Sequence, residues 1–312
     1  MSGIPATNPE QNNTAPVFVV GGLNMDILGT PHAPLLLRDS NPGTVTLRPG
    51  GVGRNIAWGI ARLGLSVELV TAVGEDAFGA VLLHSCHEDN IGTAHVISAP
   101  CGSGTYLCVH DSDGDMHCAI NQMDAIETLS PEALFDLLPE LNRAPLVVLD
   151  ANLPSKTLSY LAEHITAPLF VDPVSAHKAV RVLPILSRLR AIKPNRIEAQ
   201  AMTGFDCSDH DGVRRAADFF LKRGVKRVYL SLGADGIYYA DTTQSGFLPS
   251  LLGGNDQHRD TTGAGDAMTA ALIYGEWNGL DAKACAKIGL LAARERILTG
   301  ELTNAALSSL MA

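Results

Sequence analysis

Asp260-Thr-Thr-Gly-Ala-Gly-Asp266, continuing directly into Ala267-Met-Thr-Ala-Ala-Leu-Ile-Tyr274, is a glycine-rich turn that opens onto an apolar helix. Glycines at 263 and 265 admit backbone angles closed to other residues and let a ligand come close to the chain. The first N–H groups of a helix have no partner within it, and with the helix dipole they point at negative charge. The segment therefore reads as an anion site suited to a phosphoryl group in transit, with Gly263, Ala264 and Gly265 as its donors. Asp266 stands one residue further on, where its carboxylate can take the proton of an attacking hydroxyl. The same residues also describe a tight turn with an acidic residue in the first turn of a helix; the length of the string, Asp260 to Ala267, favours the chemistry.

Outward from this turn, short β-branched runs recur: Val17-Phe-Val-Val20, Val67-Glu-Leu-Val70, Leu146-Val-Val-Leu149, Leu169-Phe-Val171 and Val228-Tyr-Leu230. Helical patterns separate them, as in parallel βαβ units. Val213, Ala216, Ala217, Phe220 and Leu221 fit the spacing of one helix face, and Gly224 supplies its stop. Ile56, Ile60 and Leu63 make a similar stripe ending at Gly64. Two stretches break the alternation. Ile27 to Leu47 is rich in Pro, Leu and turn residues, and Thr105 to Asn121 holds two strand-like runs around Asp111-Ser-Asp-Gly114, a hairpin signal. The predicted architecture is α/β: a doubly wound, mostly parallel sheet flanked by helices, with a small β-sheet lid formed by segments about 27–47 and 105–121. Residues 16–312 are expected to form one domain behind a loose polar tail, 1–15.

Composition narrows the class. Among 312 residues 46% are hydrophobic and 18% charged, enough apolar material for a sizeable core. The net charge of −10, with no Lys/Arg run, leaves a nucleic-acid polymer or an anionic membrane without its usual electrostatic footprint. No apolar run approaches the roughly 20 residues needed to cross a bilayer. Met1 to Ala15 lacks the basic start and apolar stretch of a secretory signal. Cys86, Cys101, Cys108, Cys118, Cys207 and Cys285 show neither a C-x-x-C pair nor zinc-site spacing, and read as reduced thiols of a cytoplasmic protein.

Three further constellations have chemical potential. In Lys193-Pro-Asn-Arg-Ile-Glu198, Asn195 and Glu198 fall on one face if a helix starts at Asn195. The pair reads either as a capping box or as oxygens holding Mg²⁺ through water, and the two are compatible. Gly21-Gly-Leu-Asn-Met-Asp26 follows a strand and Pro49-Gly-Gly-Val-Gly-Arg-Asn55 opens a helix, the places where α/β folds bind ligands. There Asp26 and Asn55 can bond vicinal sugar hydroxyls while Gly50 and Gly51 let a sugar lie against the backbone; a turn Asp and a capping Asn are the alternatives. Lys178 reads as a surface lysine with its stem on apolar surface.

In this order the segments resemble the PfkB or ribokinase family of carbohydrate kinases, whose two signature regions are similar to Gly50–Gly64 and Asp260–Ala267. The resemblance covers nearly the whole chain after the tail. It implies a ribokinase-like core with a β lid, ATP as phosphoryl donor, Asp266 as base, Gly263, Ala264 and Gly265 as anion hole, and Asn195 with Glu198 managing Mg²⁺. Ser231-Leu-Gly-Ala-Asp-Gly236 resembles the nucleotide loop, which implies ATP contacts from Ser231, Gly233 and Gly236. Asp260 and Thr262 stand at positions that match a monovalent cation site, K⁺ in such kinases. Asp39–Gly43, Pro49–Ala57, Ala119–Met123 and Val171–Ala176 look most like the branch acting on pseudouridine. That branch implies transfer to the ribose 5′-hydroxyl, and an amide such as Asn121, with Thr105 as a second candidate, to pair with the base edge. A homodimer through the lid is the expected assembly. Other acceptors of the family (ribose, adenosine, fructose) and a non-catalytic nucleoside sensor are the alternatives; a dinucleotide oxidoreductase fails for want of G-x-G-x-x-G and its acidic partner.

Overall fold

The computed structural model describes residues 15–113, 115–253 and 261–304. The expected tail lies outside them but for Ala15, as do Asp260 and Gly114. Elements are numbered along the chain. The main sheet contains β1 (Val17–Val20), β4 (Val67–Val70), β9 (Val147–Asp150), β10 (Leu169–Asp172), β11 (Leu189–Ile192), β12 (Arg227–Ser231), β13 (Ile237–Asp241) and β14 (Ser245–Leu248). Their order is β14-β13-β12-β11-β10-β9-β1-β4; the six strands from β12 to β4 run parallel and the last two form an antiparallel edge. The mostly parallel, doubly wound sheet is therefore present.

Both faces of a parallel sheet are covered, so its strands are continuous apolar runs whose side chains alternate between two cores. Val17 and Val19 enter one core, with residues of α1 (Val52–Arg62), α2 (Ala77–Glu88), α9 (Ala264–Trp277) and α10 (Ala282–Thr299). Phe18 and Val20 enter the other, with α3 (Pro131–Leu134), α4 (Leu138–Leu141), α5 (Ser155–His164), α6 (Ala176–Ala179), α7 (Arg196–Thr203) and α8 (His210–Lys222). Helix α8 shows how the sequence dictates this. The Asp209 carboxylate accepts from Gly212 N–H at 2.7 Å and starts it, Val213, Ala216, Ala217 and Phe220 are buried, and Gly224 ends it with φ 100°. Truncating Phe220 to Ala would cost about 3–5 kcal/mol.

The two stretches that break the alternation form a separate four-stranded sheet: β2 (Asn24–Pro31), β3 (Gly43–Gly50), β7 (Gly104–His110) and β8 (Met116–Gln122), in the order β3-β2-β7-β8. Hairpin pairing joins β2 to β3 and β7 to β8, whereas β2 and β7 pair in parallel. That parallel pair is closed by the long excursion through α1, β4 and α2. A short ribbon of β5 (Ala72–Gly74) and β6 (Ile97–Ala99) lies between them in the chain. No helix among the described residues is long and apolar enough to cross a membrane, and all six cysteines are free.

Candidate active site

Strand order reverses between β1 and β9, and a doubly wound sheet binds its ligand at such a point, beyond the carboxyl ends of the strands. Here those ends carry a row of polar residues: Gly21-Gly22 after β1, Asp150 on β9, Asp172 on β10, Lys193 after β11 and Ser231 on β12. Asp150 is fully buried and accepts from the backbone of Gly22 (2.8 Å) and Asn152 (2.9 Å) and from Asn152 Nδ2 (3.0 Å). Asp172 is 3% exposed; it accepts from Val174 N–H and Thr269 Oγ1, each at 2.9 Å, and pairs with Lys193 Nζ at 3.3 Å. Val174, a β-branched residue at φ 68°, is held in the left-handed region by this contact, the kind of strain that persists only where surroundings over-determine it.

The glycine turn delivers Asp266 into this row. Gly263 takes φ 77° as the N-cap of α9, so a residue with a side chain would be strained there. Asp266 follows in the first turn, and Asn55 of α1 donates to its Oδ2 at 2.9 Å. Burial and the neighbouring Asp172 charge push the Asp266 carboxyl up to about 7, against the pull of Asn55 and Lys193. Glu198 is driven to about 7 in the same way, by burial and Asp172. Burial disfavours the Lys193 ammonium, but Asp172, Glu198 and Asp266 around it hold it charged. This buried cation stands among three carboxyls, and its Nζ lies 3.6 Å from where a Cβ on Gly265 would sit, behind the glycine turn. Ala264, expected among the donors, spends its N–H on Thr261 O at 3.1 Å, closing the turn, which leaves Gly263 and Gly265 to face a ligand. A carboxyl poised near neutrality beside such donors is equipped for general base work on a hydroxyl.

Two residues beyond Lys193, the capping box is real: Asn195 Oδ1 accepts from Glu198 N–H at 2.9 Å, and Glu198 accepts from Asn195 N–H at 2.8 Å and Nδ2 at 2.9 Å. Ser231 N–H donates to Pro194 O at 2.9 Å, which seats the end of β12 beside Asn195. Within the following turn Gly233 is open to solvent, whereas Gly236, at φ 98°, is buried against the backbone of Leu248 and Pro249. Gly236 therefore shapes the turn rather than lining the cleft. On the lid, Asp26 accepts from Asn24 Nδ2 at 2.6 Å and packs against Gly50, and burial raises its carboxyl despite Asn24, Arg48 and Arg54. Gly51, at φ 98°, starts α1 hard against the backbone of Gly22.

Residues 14–308 match the model of the pfkB family of carbohydrate kinases. The chain belongs to that family. Among curated relatives, pseudouridine kinase of Escherichia coli is 37% identical over 260 residues, 82% of each chain. Guanosine-inosine kinase of Exiguobacterium acetylicum is 26% identical over 91% of this chain and 95% of its own. Among solved structures, Arabidopsis thaliana ribokinase superposes with a TM-score of 0.83 over 95% of this chain and 98% of that one, at 23% identity, a likeness of fold. The fold of this pfkB-family chain is thus ribokinase-like.

Three positions differ from their sequence reading. Alternation along β7 puts Thr105 on the face opposite Tyr106, and Tyr106 pairs with both Asp26 and Asn121, so Asn121 shares the face of Asp26 while Thr105 does not. Asn55, expected on the sugar, gives one Nδ2 proton to Asp266 and so orients that carboxylate, a role the sequence reading does not assign it. Lys178 is not a surface lysine: its half-buried Nζ donates to Asn152 Oδ1 at 2.6 Å, and burial lowers its pKa against the opposing charge of Asp150. Asp150, Asn152, Asp172 and Lys193 were not singled out from sequence, although an acid ending an apolar run, as in Leu149-Asp150 and Val171-Asp172, is a usable signal. The cation reading at Asp260 lies outside the described residues; Thr262 is an exposed turn residue. Among the described residues no group of three or more His, Cys, Asp or Glu is arranged to hold a metal. Asn195 and Glu198 offer hard oxygen atoms, but these are already engaged with one another in the capping box, so a cation there would be held through water.

Proposed function

We propose that the protein transfers the γ-phosphoryl group of ATP to the 5′-hydroxyl of a nucleoside, with pseudouridine the acceptor, giving pseudouridine 5′-phosphate and ADP. The observation that carries the reading is Asp266: a carboxyl raised to about 7, oriented by Asn55, in the first turn of the helix that the glycine turn opens. With the acceptor on Asp26 and Gly50, its hydroxyl gives its proton to Asp266 as its oxygen attacks the γ-phosphorus. The bond to the β-phosphate oxygen breaks, and the N–H groups of Gly263 and Gly265 stabilise charge on the phosphoryl oxygens, with the Ala264 N–H holding the turn on Thr261 O. Lys193 adds positive charge behind Gly265.

The nucleotide lies along Ser231 and Gly233 in this reading, tied to α7 by the ion pair of Arg196 with Asp235 at 2.6 Å. Bound Mg²⁺, reached through water from Asn195 and Glu198, neutralises phosphate charge. The lid sheet closes over the acceptor and excludes water. Its other face carries exposed Val45, Leu47, Leu107 and Ile120, an apolar surface that suits pairing of two lids in a homodimer. The choice of pseudouridine rests on the 37% identical relative and on Asn121 sharing the face of Asp26. The test is kcat/KM with Mg²⁺ and ATP across pseudouridine, uridine, inosine, adenosine, ribose and fructose, with and without K⁺. Preference for pseudouridine supports the full reading; preference for a purine nucleoside or a free sugar keeps the chemistry and replaces the acceptor.

A further inference from the structure

The lid register places four side chains in one cross-strand row on the cleft side: Arg48 opposite Asp26, Asp26 opposite Tyr106, and Tyr106 opposite Asn121. Neighbouring strands are about 4.8 Å apart, so Asp26 and Asn121 stand roughly 10 Å from each other with the tyrosine between them. A nucleoside spans such a row, with its ribose hydroxyls at Asp26 and its base beyond; a free pentose does not reach the far end. Sequence reading gave this middle position no role and placed the neighbouring Thr105 in the site instead.

The tyrosine is held along the sheet. Its hydroxyl donates to Met116 Sδ at 3.4 Å, towards the outer end of the lid, which anchors the ring tip away from the row. Met116 reaches that face because the register shifts between Val109 and His110, and the extra residue turns it to the side of His110. Burial, with the Cys108 and Asp26 charges nearby, raises the phenol pKa, consistent with a ring that runs along the inner face beside Cys108. The side chain remains only partly buried. An aromatic ring pinned at its tip, flanked by polar groups and open on one side is a stacking surface for a planar heterocycle, because every base offers a π-face.

Resting on the nucleoside kinase reading above, we propose that Tyr106 is a specificity-determining residue whose ring is the platform on which the acceptor's base lies. The division of labour follows from the row. Asp26 holds ribose hydroxyls, Tyr106 selects an acceptor that carries a planar ring over one that does not, and Asn121 discriminates between bases by their edges. Stacking tolerates any base, so Tyr106 sets nucleoside against sugar and leaves pseudouridine against uridine to its neighbour.

The experiment measures pseudouridine and D-ribose side by side, ribose as substrate or as competitive inhibitor, in wild type, Tyr106→Phe, Tyr106→Leu and Tyr106→Ala. Tyr106→Ala is expected to lower kcat/KM for pseudouridine by about ten- to a hundredfold while changing the ribose constant by less than about threefold. Tyr106→Leu keeps apolar cover on the strand without the π-face and is expected to show the same selective loss should the alanine variant not fold. Tyr106→Phe stays within about threefold of wild type on both. Equal losses on pseudouridine and ribose, or no loss on pseudouridine, overturn the role of Tyr106 and leave the nucleoside reading standing. A wild-type protein that phosphorylates ribose yet neither binds nor phosphorylates any nucleoside overturns both.

Discussion

Replacing Lys193 by Met removes the cation buried among Asp172, Glu198 and Asp266 while keeping the length of the side chain. An opposite charge within about 4–6 Å lowers a carboxyl pKa by about 1–3 units. Without Lys193 the Asp266 carboxyl, already pushed up to about 7 by burial and Asp172, moves higher still. A general base works in its deprotonated form, so activity is lost as pH falls through that pKa. Displacing it by about one to two units leaves Lys193→Met about 5- to 50-fold less active than wild type at pH 7, with recovery as pH rises. Because Glu198 titrates in the same range, the acid limb reports the pair rather than one carboxyl. The assay is kcat/KM from pH 5.5 to 9.5 at constant ionic strength with saturating ATP, alongside circular dichroism to show that the variant folds. A folded variant whose acid limb stays where the wild-type limb lies would refute the hold of Lys193 on the Asp266 pKa; a loss that is the same at every pH would leave Lys193 only its charge behind Gly265.

Other changes test single roles. Asp266→Asn should cut turnover by about 10²–10⁴ with ATP affinity kept, by calorimetry, and near-normal turnover would remove the base assignment. The same variant should be more stable than wild type at pH 8. A carboxyl raised from 3.8 to about 7 on folding binds its proton in the native state across that window, so its stability contribution declines as pH climbs from about 4 to 7 and the penalty is complete above it. Asp266→Asn abolishes the penalty, so its melting temperature should exceed that of wild type by a few degrees at pH 8 and by less at pH 5. Asp26→Ala should raise the nucleoside KM about tenfold or more with the ATP KM within about threefold; equal damage to both contradicts a sugar contact. Asn121→Ala should shrink the preference for pseudouridine over uridine by about tenfold, and an unchanged ratio removes Asn121 from base reading.

The parts of this site that lie in one stretch of chain were legible in the sequence, because their physics is local. Gly263 to Asp266 opens a helix and Asn195 caps one with Glu198; each needs only a few consecutive residues to be recognised. The strand runs and the α8 stripe were equally open, since apolar periodicity does not depend on what the element packs against. The Asp150, Asp172 and Lys193 row was not, because three residues at the ends of three strands become neighbours only through the order β1-β9-β10-β11. The lid shows the same limit at finer scale. Thr105 and Tyr106 are adjacent, and which of them faces the cleft is settled by pairing to Asp26 and Asn121, a register that alternation within one strand leaves open. Gly236 matched a nucleotide loop by spacing, yet the packing of β14 buries it.

Every residue role assigned here depends on phosphoryl transfer from ATP to the 5′-hydroxyl of a nucleoside. The most direct measurement follows wild-type protein with Mg²⁺, ATP and pseudouridine by ³¹P NMR, with Asp266→Asn in parallel. ADP and a single new phosphomonoester coupled to the 5′-methylene protons are expected in the wild-type reaction, and at most traces of both in the variant over the same time. ATP left intact by the wild type, a phosphoester at another hydroxyl, or product formed equally by Asp266→Asn would contradict this mechanism.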